Sequence, residues 1–236
     1  MQESIGEDKN LWGSEAQREL LVRFCRTVPV SEKFFLTGGS ALGVFYLHHR
    51  VSNDVDLFTT EEIDLMKYST LLRDVVRPTQ VISERSPTFL SYISAEGVKV
   101  DFAVDHLSLK GARPRIELEK GVFLTLDRLN NIAANKICSV VSRAEPRDVL
   151  DLFFLLKERP LIADFVKLFK EARRREALLE DGLYVSSAFE EIAEATDAII
   201  EELKESLRKP VDAQEFRKFW LALANTVERE FLPSPP

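Results

Sequence analysis

The chain has 236 residues, 45% of them apolar, enough for one substantial core or two modest ones, which excludes disorder as the state of most of it. Its formal net charge of −7 excludes wholesale coating of nucleic acid, because the phosphate backbone repels an acidic surface, although a local basic groove remains compatible. Two cysteines, Cys25 and Cys138, lie far apart in apolar, helix-like sequence without metal-ligand spacing and read as reduced packing residues.

In chain order, residues 1–10 carry Glu3, Glu7 and Asp8 and no apolar core of the signal-peptide type. The longest apolar run, Leu152 to Leu156, is far short of the roughly 20 residues of a membrane span, so the expected location is the cytoplasm, with no membrane partner. Ser14 to Val28 sets Leu20, Leu21, Phe24 and Cys25 at helical spacing, with Ser14 as N-cap. Phe34 to Thr37 reads as a short buried strand, and Ser40 to His48 as a helix entered directly from Gly38 and Gly39. Asp54 to Thr59 alternates as a strand and Glu61 to Val76 reads as helical. Further strands are expected at Thr79 to Ser83, Thr88 to Ser94 and Val98 to Val104, with Glu96 and Gly97 turning the last hairpin.

From Leu124 onward the apolar period changes from two to about 3.6. Helices are expected at Leu126 to Val141, Pro146 to Lys157, Ile162 to Ala177, Ser187 to Leu207 and Ala213 to Glu230, punctuated by Pro160 and Pro210. No internal repeat is present, and low complexity is confined to the terminal Pro-Ser-Pro-Pro. The expected architecture is an α/β domain, residues 1–120, followed by a helical domain, residues 121–236.

The chemistry concentrates between Phe34 and Phe58. Residues two apart on a strand share a face, so Asp54 and Asp56 present their carboxylates side by side. Two like charges about 4 Å apart repel by roughly 4 kcal/mol at an effective dielectric near 20, so the pair calls for solvent, a basic partner or a cation. Magnesium suits carboxylate oxygen and leaves positions for water and phosphate, whereas a solvated edge strand is the plain alternative. Gly38 and Gly39, between strand and helix, allow the close approach of a phosphate to backbone N–H groups. The Ser40 hydroxyl either bonds a phosphate oxygen or caps the helix. The turn lacks the Gly-Lys-Ser/Thr of a P-loop and the GxGxxG of a dinucleotide fold. A third carboxylate, Asp101, sits among apolar residues, where an unpaired charge is costly and a shared metal explains it. Asp105, at the strand end, reads as a turn residue or, less simply, as the ligand in its place.

Gly38-Gly39-Ser40-Ala41, then His49-Arg50-x-Ser52-x-Asp54-x-Asp56-Leu57-Phe58, then Lys99-x-Asp101, resembles the nucleotidyltransferase superfamily and, within it, the AbiEii toxin group of toxin and antitoxin systems. Lys136, followed by Arg147-Asp148-x-x-Asp151-Leu152, is similar to the later motifs of that group. The resemblance implies a nucleotidyltransferase-type mixed β-sheet flanked by helices and a metal-dependent transfer of a nucleoside monophosphate from a nucleoside triphosphate to an acceptor hydroxyl. Asp54, Asp56 and Asp101 would hold two Mg2+ ions, Asp101 would also assist removal of the acceptor proton, and Gly38, Gly39, Ser40 and Lys136 would position the leaving phosphates. Asp148 would contribute to the cleft. Arg50 orients Asp54 or Asp56, and Ser52 contacts phosphate or braces the loop. The implied partners are an RNA acceptor such as a transfer RNA end and a cognate antitoxin. A small-molecule or protein acceptor, or a silent nucleotide- or partner-binding module, stands as the alternative.

Simpler readings apply elsewhere. In a first helical turn Asp148 complements the dipole, and Arg147 with Asp151 is an i,i+4 pair. His48, His49 and His106 have no Cys or His cluster around them. Arg173-Arg174-Arg175 reads as a solvated helix face, with a grip on RNA phosphates as its alternative.

Overall fold

The structure, a computed structural model, describes residues 5–27, 30–109, 111–159 and 164–232. By its internal contacts the chain divides into two units, Met1–Arg128 and Leu129–Pro236.

In the first unit, Ser14 caps α1 (Glu15–Arg26), its Oγ accepting from the Gln17 amide at 3.1 Å. Strand β1 (Phe35–Thr37) passes straight into α2 (Gly38–Ala41), which widens to a π-helical stretch, Leu42–Leu47, and ends at His48 in the left-handed region. Strand β2 (Val55–Thr59), helix α3 (Ser69–Val76), and strands β3 (Pro78–Ser86), β4 (Phe89–Ser94) and β5 (Lys99–Val104) follow. The five strands form one mixed sheet in the order β1-β2-β5-β4-β3, with β2 and β5 parallel and every other pair antiparallel. This is the α/β fold with a mixed sheet that the sequence implies.

A period of two gives the sheet two unlike faces. On one, Leu36, Leu57, Phe102 and Leu90 lie in register across β1, β2, β5 and β4, all fully buried. Phe102 meets Phe24, Phe34 and Tyr92 at ring separations of 5.7 to 6.3 Å, which locks α1 onto this face. Each such side chain contributes about 1.5 to 3 kcal/mol by leaving water. The other face is polar at the same level.

Some expected elements need revision. Residues 61–64 are not helical; Asp64 instead accepts from the Met66 amide and opens a 3-10 turn, Leu65–Tyr68, before α3. An antiparallel hairpin, β6 (Arg115–Glu119) and β7 (Val122–Thr125), precedes the helices. The first unit runs to Arg128, where Leu126 bridges Leu36 and the Asp127 amide donates to the Leu36 carbonyl at 2.8 Å.

The second unit is helical: α4 (Leu129–Arg143), α5 (Pro146–Glu158), α6 (Phe165–Ala172), α7 (Gly182–Glu194), α8 (Thr196–Leu203) and α9 (Ala213–Phe231). Pro146 occupies the first turn of α5, where its missing N–H costs nothing. Helix α7 packs on α9, and Phe153, Phe189, Phe216, Phe219 and Trp220 form an aromatic cluster. The helix expected over Ser187 to Leu207 is two helices, broken at Ala195, with the Thr196 hydroxyl donating to the Ala193 carbonyl at 2.7 Å. Val28, Pro160, Ile162 and the terminal Pro-Ser-Pro-Pro lie outside the described residues. Among the described residues no helix is long and apolar enough to cross a membrane.

Candidate active site

The polar face of the sheet carries a row of four residues in register: Thr37 on β1, Asp56 on β2, Asp101 on β5 and Ser91 on β4. Directly paired residues share a face, so Asp56 and Asp101 stand side by side on neighbouring strands. Asp54 precedes β2 by one residue and Asp56 by two. Val55, the residue after Asp54, pairs with Val100, the residue after Lys99. Asp101 is held from both sides: Ser91 Oγ donates to its Oδ1 at 2.5 Å, and Lys99 Nζ to its Oδ2 at 2.6 Å.

The glycine turn closes over this row. Gly38 has φ +66, and a Cβ there would collide with Asp56 Oδ2. A Cβ on Gly39 would lie 2.6 Å from Arg50 Nη2 and 2.9 Å from Ser52 Oγ. Arg50 and Ser52 are both buried and pack behind the turn, with Arg50 Nη1 donating to the Val51 carbonyl at 3.0 Å. Ser40 is fully buried as well, and its hydroxyl donates to the Asp54 carbonyl. The observed geometry of Ser40, Arg50 and Ser52 is therefore that of braces for the turn and the Asp54 loop.

Thr37 is the N-cap of α2, yet its side chain makes no cap bond, because its hydroxyl donates to Asp127 Oδ2 at 2.8 Å. The leading amides of α2 thus receive no acceptor from their own cap residue, an arrangement suited to an anion.

Two positioning residues escaped the sequence reading. Gln17, almost wholly buried, donates from Nε2 to Ser40 Oγ and to the Asp54 carbonyl, both at 3.1 Å, and so ties α1 to the acidic loop. Its signal was present, since Gln17 occupies the same i, i+3, i+4, i+7 stripe as Leu20, Leu21 and Phe24, where an amide needs a buried partner. Asp127, fully buried, takes Thr37, the Arg128 amide at 2.9 Å and Arg113 Nε at 3.3 Å, while its carbonyl accepts from the Tyr46 hydroxyl at 2.6 Å. The expected helix over Leu126 to Val141 instead begins at Leu129, which leaves Asp127 outside it.

For a magnesium ion the donor chemistry of Asp54, Asp56 and Asp101 is suitable, being all hard carboxylate oxygen. Among the described residues, however, no group of three or more His, Cys, Asp or Glu side chains is drawn together to hold a metal. The Lys99 ammonium sits on the third carboxylate. Burial lowers the Lys99 pKa, but the hydrogen bond to Asp101 and the charges of Asp101, Asp54 and Asp56 outweigh this and raise it above the usual lysine value. Asp105 serves as a turn residue, its Oδ1 accepting from the Leu107 amide at 3.1 Å.

Lys136 and Asp148 lie together in the second unit. Lys136 Nζ is 2.6 Å from Asp148 Oδ1 and 2.7 Å from Asp151 Oδ2, and Arg143 Nη2 is 2.6 Å from Asp148 Oδ2. Lys136, Asp148 and Asp151 are all buried, so these ion pairs join α4 to α5. Arg147 pairs with Glu145 at 2.8 Å. Of the arginine run, Arg173 pairs with Glu180 and Arg174 with Glu171, while Arg175 is buried against Asn135, so it is not a wholly solvated face.

Residues 19–232 match the family model described as nucleotidyl transferase AbiEii toxin, type IV toxin-antitoxin system. Among curated proteins no significant match is found. Among solved structures, the chain is similar to JHP933 from Helicobacter pylori, with 15% identity, a TM-score of 0.49 and coverage of 96% of this chain and 95% of that one. It is also similar to a nucleotidyltransferase candidate from H. pylori, with 16% identity, a TM-score of 0.46 and coverage of 92% and 97%.

Proposed function

The chain belongs to the AbiEii family of nucleotidyltransferase toxins, and on that premise we propose that it moves a nucleoside monophosphate from a nucleoside triphosphate to an acceptor hydroxyl of RNA, releasing pyrophosphate. The observation that carries this reading is the in-register pair Asp56 and Asp101 beneath a glycine turn whose first residue has no room for a Cβ. Asp54, Asp56 and Asp101 would hold Mg2+, which when bound supplies charge neutralisation on the phosphates and a lowered pKa for the attacking hydroxyl. The amides of Gly38 and Gly39 bind phosphate oxygen and hold the chain of phosphates for in-line displacement. Asp101 receives the acceptor proton. Gln17, Ser40, Arg50, Ser52 and Asp127 keep the turn and the acidic loop in place, as their buried partners support. A cognate antitoxin would counter the activity in the cell.

Incubation of the purified chain with each labelled nucleoside triphosphate and total cell RNA tests the reading. Wild type should label RNA and release pyrophosphate, and an Asp54→Ala, Asp56→Ala double variant should lose at least about a thousandfold of the rate. Full transfer by the double variant would refute it.

A further inference from the structure

Lys99 is a cation that the reaction above leaves without a task. Its ammonium lies 2.6 Å from Asp101 Oδ2, and its side chain is 41% exposed where that of Asp101 is 13% exposed. The two are two residues apart on β5 and share its polar face, and Val55, the residue after Asp54, pairs with Val100, the residue after Lys99. As a surface tie, a Lys–Asp pair with a half-exposed lysine contributes little to stability. As a charge on Asp101 it offsets one of the negatives of the acidic site.

We propose that Lys99 is an internal counter-cation of the site: it holds Asp101 while no metal is bound, and it must leave that carboxylate when a divalent cation loads. It thereby sets the metal affinity. Exposure of the stem gives the ammonium a route into solvent, and Ser91 still holds the other oxygen of Asp101 when the lysine has gone. The inference rests on the metal-dependent reading above.

The test uses the full chain and Mn2+ alone, with bound metal measured by electron paramagnetic resonance and by calorimetry. Removing a positive charge from beside the metal position should tighten Mn2+ binding by about tenfold in Lys99→Met, and equally in Lys99→Gln should the apolar replacement fold poorly. Added metal should also raise the melting temperature of these variants more than that of wild type, and Asp101→Asn in the Lys99→Met background should cancel the gain. Saturable Mn2+ binding of equal strength in wild type and both variants overturns this inference alone. Unchanged Mn2+ affinity with weakened nucleotide binding makes Lys99 a phosphate ligand and overturns it too. No saturable Mn2+ binding by any of the three chains overturns the metal-dependent reading together with this one.

Discussion

Gly38 joins two constraints in one residue. Its φ of +66 is a backbone state that a side chain disfavours by roughly 1 to 2 kcal/mol, and the space its Cβ would fill belongs to Asp56 Oδ2. Gly97 has a similar φ, +80, in the hairpin turn between β4 and β5, with nothing within 4 Å of its would-be Cβ. The two positions therefore separate strain from displacement. Gly38→Ala and Gly97→Ala should each lose about 1 kcal/mol in urea denaturation. Only Gly38→Ala should also lose transfer activity, by about a hundredfold, because Asp56 must move by the order of an ångström. Equal activity in the two variants would show that the turn does not set the position of the carboxylate.

At the level of elements, the contact of α4 with α5 turns on Lys136. Removing its charge takes from the buried Asp148 and Asp151 a cation that both of them face, and loss of one member of a buried ion set costs about 3 kcal/mol. Lys136→Met should show that loss in urea denaturation, and Lys136→Met with Asp151→Leu should regain most of it, since an apolar pair tolerates burial. A Lys136→Met chain as stable as wild type but with weaker nucleotide binding would return Lys136 to the triphosphate. The sequence made the residues of this network legible but not their mutual pairing, because helical spacing places Lys136 and Asp148 on separate helices whose packing no local pattern encodes. The strands of the main sheet were legible from their alternation. The β6–β7 hairpin was missed although Ile116, Leu118, Val122 and Leu124 alternate around Lys120 and Gly121, because the change of period was placed at its second strand. The break at Ala195 had no signal, since the apolar stripe runs through it and only the Thr196 hydroxyl marks the stop. Gln17 and Asp127 act through tertiary partners 23 and 90 residues away, which is why spacing alone did not reveal them.

For the molecule as a whole, charge bears on how it would meet the proposed RNA acceptor. The chain carries −7, and its densest basic run is neutralised locally: Arg173 and Arg174 are tied to Glu180 and Glu171, and Arg175 is buried. Sequence-independent binding to nucleic acid scales with the number of phosphates neutralised by free Lys and Arg, so this run has little of it to offer. Selection of an RNA acceptor then has to come from a few contacts near the acceptor hydroxyl. In fluorescence anisotropy with a mixed-sequence oligoribonucleotide at about 150 mM salt, half-saturation should lie above roughly 100 μM, at the weak end of non-specific binding. Transfer to a true acceptor should fall only shallowly with added salt, with a logarithmic slope equivalent to about one to three phosphates. A submicromolar affinity for the mixed-sequence strand, or a steep slope, would mean that a basic surface outside the arginine run recruits RNA and that the acidic net charge misrepresents the face the substrate meets.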